Sequence, residues 1–133
     1  MAKVSSFVYC DRAEFDESHP KPKINELLDI IRPNSLPGNF SFSIVFGLIG
    51  LDRNQEIRIV FKGPDGEILL DTEMSKLHFE FNPKHPLKHQ GVYIAMDIRN
   101  VDIPVEGIYE TELYEPKGQI GNFPIPAFKR GDE

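Results

Sequence analysis

Phe61-Lys-Gly-Pro-Asp-Gly-Glu-Ile68 sets a turn signal between two apolar runs. Proline fixes φ, aspartate hydrogen-bonds nearby backbone and glycine accepts positive φ, so Pro64, Asp65 and Gly66 suit a tight reversal. Upstream, Ile57, Ile59 and Phe61 share one face of an extended strand. Downstream, residues 68–70 return beside it, as so short a connection requires. Similar punctuation recurs, with 11 prolines and 10 glycines in 133 residues. The chain therefore reads as short strands joined by turns.

Alternation carries the same reading outward. In residues 40–49, Phe40, Phe42, Ile44, Phe46 and Leu48 form an inward set alternating with Ser41, Ser43, Val45, Gly47 and Ile49, and the two serines lie on a partly wet side near the strand's start. Gly47 and Gly50 allow a bend or bulge there. Residues 74–81 also alternate, with Leu77, Phe79 and Phe81 on one face. After a Pro- and His-containing bridge at 82–90, residues 91–98 send Val92, Ile94, Met96 and Ile98 toward the core. Residues 108–115 alternate next, and a final strand at 120–125 carries Pro124, with Pro126 just beyond, which favours a sheet edge. Nearer the start, residues 4–10 form a strand and 11–23 a charged connection. Residues 24–31 fit either period, but Pro22 and Pro33 leave little room for a helix, so a strand is expected.

Seven to nine strands make two packed antiparallel sheets, an all-β sandwich of immunoglobulin-like or related Greek-key architecture. No linker, repeat or low-complexity tract divides the chain, so residues 1–133 read as a single domain with a short solvent-exposed tail at 129–133. Ten Phe and 40% hydrophobic residues supply the core and argue against disorder. A net charge of −6 disfavours a broad phosphate-binding face, so no nucleic acid is expected. The single cysteine, Cys10, reads as filling a small apolar space. Residues 1–9 lack the apolar core of a secretory signal, and no segment approaches a membrane span. A cytoplasmic protein with no membrane partner is the default expectation.

Several stretches resemble an uncharacterised bacterial and phage-associated family of small β-sandwich domains, the DUF6941 type. They are Val8-Tyr-Cys-Asp-Arg-Ala13, Leu36-Pro-Gly-Asn-Phe-Ser-Phe-Ser-Ile-Val-Phe46 and Gly63-Pro-Asp-Gly-Glu67. Met96-Asp-Ile-Arg-Asn-Val101, Glu106-Gly-Ile-Tyr-Glu-Thr-Glu-Leu-Tyr114 and Phe123-Pro-Ile-Pro126 continue the likeness across nearly the whole domain. His19-Pro-Lys-Pro-Lys23 departs from the Gly-rich first hairpin. The resemblance implies one sandwich and carries no catalytic residue with it.

Three side-chain groups are candidate sites. His85 and His89, with Asp97, His78 or His19, could bind zinc only if the fold gathers them, and Pro86 breaks any helical spacing. Surface histidines are the ordinary reading, so neither metal nor cofactor is expected. Asp11, Glu14, Asp16 and Glu17 read as a solvated connection, lacking the ordered ligand loop of a calcium site. Glu110 and Glu112, on one face of a strand that ends at Tyr114, form the candidate partner-binding patch, an aromatic anchor beside charges. Nucleotide-binding glycine spacing and a nucleophile elbow are both absent. The expected function is a noncatalytic protein-binding or assembly module, self-association included. An intracellular small-ligand-binding or sensor domain is the alternative, and a histidine-dependent hydrolase ranks below both.

Overall fold

The computed structural model describes residues 1–15 and 21–131, whose strands form two stacked antiparallel sheets. One sheet contains β1 (Lys3–Glu14), β2 (Lys23–Leu27), β3 (Gly38–Ile49) and β7 (Gly91–Ile103), in the order β2-β1-β3-β7. The other contains β4 (Glu56–Lys62), β5 (Ile68–Asp71), β8 (Gly107–Glu115) and β9 (Gly118–Ala127), in the order β5-β4-β8-β9. A two-residue β6 (Ser75–Lys76) also pairs with β4. The architecture is the expected immunoglobulin-like sandwich, and no helix among the described residues is long and apolar enough to cross a membrane.

The opening motif is the β4–β5 hairpin. Gly66 N–H donates to Gly63 O at 3.0 Å, Gly63 N–H donates to Glu67 O at 2.9 Å, and Gly66 takes φ +83°. Only glycine adopts that conformation without steric cost. The inward set of β3 is likewise as read: Phe42, Ile44, Phe46 and Leu48 are buried against Ile57, Ile59 and Phe61 of β4. Phe42 lies 5.5 Å from Phe61 and 5.9 Å from Tyr9, joining the two sheets through aromatic rings. At the β3–β4 corner the buried Gln55 accepts from Asp52 N–H and donates to Glu56 O and Glu115 Oε2. Glu115 Oε2 also accepts Ala2 N–H at 3.0 Å, so one buried carboxylate ties the chain start to the corner.

Tyr109 closes the approach to β8. Its hydroxyl donates to Val105 O at 2.6 Å and accepts Val105 N–H at 3.3 Å. This is the tyrosine-corner arrangement of Greek-key sandwiches. Burial pushes the Tyr109 phenol up, which keeps it neutral and able to donate.

Three details differ from the pattern reading. Of residues 74–81 only Ser75 and Lys76 form a strand, because the chain there is leaving one sheet for the other and finds no partner beyond β4. Ile98 is buried, but Val92, Ile94 and Met96 stay partly exposed because β7 is an outer strand. Ser43, expected on a wet side, is only 1% exposed, and Val45 on the same face is buried with it. Ser43 Oγ donates to Asp97 Oδ1 at 2.6 Å, and the β1–β2 ribbon brings Pro22 and Ile24 over Val8 and Val45. Gly47 meets the expectation of a bulge: the β1 register shifts between Val4 and Ser6 opposite it, and a Cβ at Gly47 would lie 2.5 Å from Ser5 Oγ.

The last strand lies at a sheet edge, as its prolines favour. β9 pairs β8 on one side, and its far end is capped by Ile31, whose N–H donates to Pro126 O and whose O accepts Phe128 N–H. Arg130 N–H donates to Pro33 O, so the tail is held one residue short of Gly131. Residues 24–31 split accordingly, a five-residue strand followed by the buried Ile31 against β9.

Candidate functional site

Glu110, Glu112 and Tyr114 stand on the outer face of β8, as alternation requires, because Tyr109, Thr111 and Leu113 fill the core behind them. Strand β4 supplies their counter-charges, with Lys62 opposite Glu110 and Arg58 opposite Tyr114. Glu112 Oε1 accepts both Lys62 Nζ at 2.8 Å and the Tyr114 hydroxyl at 2.9 Å. Burial pushes the Glu112 carboxyl up, but these two bonds outweigh it and hold the carboxyl below its ordinary value. The Tyr114 ring also lies 5.6 Å from the Arg58 guanidinium. Glu112 is only 8% exposed and already neutralised, while Glu110 makes no hydrogen bond or ion pair among the described residues.

Arg58 closes the network on its other side through a two-pronged bond to Asp71, Nε at 2.9 Å and Nη2 at 2.6 Å. That guanidinium, with the Glu73 N–H, holds the Asp71 carboxyl down at about 2. A depressed carboxyl stabilises the fold above its ordinary 3.8, and that contribution disappears as pH falls through about 2. We expect Arg58→Ala to move the Asp71 titration midpoint up toward 3.8, read by carboxyl NMR. An unmoved midpoint would show that Arg58 does not hold the charge.

An open concavity lies at the sandwich margin. Strand β2 adds to β1 beyond the edge strand β9 of the facing sheet, which leaves an open groove of about 630 Å³. Phe7, Tyr9, Leu27, Leu28, Phe123 and Pro124 line it, with Val8 and Asp29. Phe7 stacks on Phe123 at 4.1 Å and meets Tyr9 edge-on at 5.0 Å, so the floor is a rigid aromatic surface. Tyr9 is fixed from below by its hydroxyl, which bonds Thr111 Oγ1 and Phe123 O. Leu27 stands 69% exposed beside this floor. The volume lies within the range of ligand sites, and the lining has the mostly apolar character such sites share.

A family model described as a family of unknown function, DUF6941, matches residues 5–127. The chain belongs to the DUF6941 family. Among solved structures, an immunoglobulin-like protein from Pseudomonas aeruginosa is similar at 13% identity and a TM-score of 0.45, over 96% of this chain and 97% of that one. No curated protein matches.

Elsewhere in this DUF6941 chain the other candidate groups are dispersed. His85 precedes a short 3-10 turn, Leu87–His89, which His89 ends, on an exposed loop, and His78 lies on the preceding crossover. Among the described residues no three His, Cys, Asp or Glu side chains converge as metal ligands. Asp11 and Glu14 are exposed on the outer part of β1, where Arg12 pairs Glu14 at 3.4 Å, while Asp16, Glu17 and His19 lie outside the described residues. Cys10 is fully buried, and burial followed by Asp11 and Asp97 pushes its thiol up, away from the nucleophilic thiolate. Sequence reasoning missed the groove. Its residues come from three segments far apart in the chain, with no local spacing to mark them.

Proposed function

We propose that this domain is a noncatalytic protein-binding module that accepts apolar side chains of a partner protein in the groove beside β9. The carrying observation is the aromatic floor of Phe7, Tyr9 and Phe123 beside an exposed Leu27. Apolar surface left open on a rigid scaffold contributes to affinity when a partner covers it. The titratable groups support the noncatalytic reading. Those with shifted values are engaged in structural pairs or buried in the core, as Glu112, Asp71, Tyr9 and Cys10 are. The charged face of β8 fits a secondary role through Glu110, since Glu112 is committed to Lys62.

Selection of displayed peptides on the folded domain tests this reading. Peptides rich in apolar and aromatic residues should be enriched, and Leu27→Glu should weaken them by roughly tenfold, about 1.4 kcal/mol. The substitution leaves the fold intact because Leu27 is a surface residue. Enrichment that ignores Leu27→Glu would remove the groove from the binding surface. A second reading, an intracellular small-ligand or sensor domain, draws support from the groove volume alone. Saturable binding of a small apolar molecule by the monomer, lost in the same variant, would favour it over the protein partner.

A further inference from the structure

The four sheet edges are not equally protected. β2 is five residues long, carries Lys23 and Glu26, and is distorted at Glu26 by φ +51°. β5 is four residues long and shares the β4 edge with β6. β9 carries Pro124 and Pro126 and is capped by Ile31. Short strands, charges, prolines and covering segments are the devices by which sheets avoid adding further strands.

β7 has fewer of them along its first half. It is the longest strand, and Gly91-Val-Tyr-Ile-Ala-Met-Asp-Ile98 holds one charge and no proline. Among the described residues no other backbone segment bonds its outer side. Its irregularity comes later, in a bulge where Arg99 and the positive-φ Asn100 oppose the single residue Ser41 of β3. Three of its inward side chains, Val92, Ile94 and Met96, remain incompletely buried on that open side.

We propose that β7 pairs antiparallel with β7 of a second copy about Ala95, joining two sheets into one across a two-fold axis. The occupant is set by self-complementarity. Residues equidistant from Ala95 face each other, so Met96 meets Ile94 and Ile98 meets Val92 on the inward face. On the outward face Ala95 meets itself and Tyr93 meets Asp97, a polar pair. Like lies against like on each face, as an isologous contact requires. The straight segment ends at Ile98, opposite Val92, just before the bulge at Arg99 and Asn100 that would break the ladder. This contact is separate from the groove and stands or falls without it.

Sedimentation of the full chain over a range of concentrations reads the association, with a reversible monomer–dimer equilibrium expected. Ala95→Lys and Ala95→Glu each place like charges opposite one another and should raise the dimer Kd roughly fivefold. Mixed together, the two variants should form heterodimer beyond its statistical share in native mass spectrometry. Tyr93→Asp, which brings a second carboxylate against Asp97 of the other copy, should weaken the dimer without touching the core. A wild-type chain that stays monomeric at every concentration overturns the proposal. So does a statistical share of heterodimer, or a dimer indifferent to all three substitutions.

Discussion

Phe42→Ala lowers the free energy of unfolding by about 3–5 kcal/mol, the usual range for removing a buried phenylalanine ring. The side chain is 1% exposed and sits among Phe40, Phe61 and Tyr9, with ring centres 5.5–6.3 Å away. Deleting it removes the packing between β3 and β4 at the middle of the sandwich. The surrounding rings belong to both sheets and cannot close the void without moving strands. Against a total stability of about 5–15 kcal/mol, such a loss approaches the margin of folding. Urea denaturation reads it directly. Ile108→Ala is the control, since Ile108 is 52% exposed and its loss changes stability by within about 0.5 kcal/mol. Equal midpoints for the two variants would mean that Phe42 is not the ring on which the two layers close.

The sandwich was legible wherever alternation coincided with pairing. In β3 the set Phe40, Phe42, Ile44, Phe46 and Leu48 reports one face because β1 and β7 flank it on both sides. Residues 77–81 alternate equally well yet form no strand, since a period of two describes an extended chain and says nothing of a partner. The same blindness explains Val92, Ile94 and Met96. Their spacing marks a face, but only strand order reveals that β7 lies at the margin. Ser43 shows the converse, a residue expected on a wet side that is buried and bonded to Asp97.

The candidate site was legible in its faces and hidden in its partners. Glu110, Glu112 and Tyr114 fall together because they lie two residues apart on one strand. The neutralisation of Glu112 depends on Lys62, fifty positions upstream, and on a β4–β8 register no local pattern encodes. A groove built from residues 7–9, 27–29 and 123–124 is one step more remote, since it exists only where one sheet extends past the other. What the sequence could have offered is the tyrosine corner. Tyr109 follows Gly107 at a strand start and lies four residues from the backbone it grips.

Tyr9→Phe is expected to cost about 1–3 kcal/mol, although it removes a single oxygen. That oxygen is bonded to Thr111 Oγ1 at 2.7 Å and to Phe123 O, spanning from β1 to the facing sheet. Without it the Thr111 hydroxyl, fully buried, has lost its side-chain partner, and the cost of an unpaired buried group exceeds the net worth of the bond itself. The ring contacts with Phe7 and Phe42 survive the change, so packing loss is a small part of the effect. Thr111→Val in the same background removes the stranded hydroxyl and should return part of the loss. The double variant is therefore more stable than the sum of the two single changes predicts, a coupling that thermal or urea denaturation measures. Burial pushes the Tyr9 phenol far up, so the native state holds its proton where the unfolded chain, near 10.0, releases it. Stability of the parent chain should then fall as pH rises past 10.0, and Tyr9→Phe should flatten that slope. Strict additivity of Tyr9→Phe and Thr111→Val, or an unchanged alkaline slope, would mean that the two sheets are held by their oily faces alone.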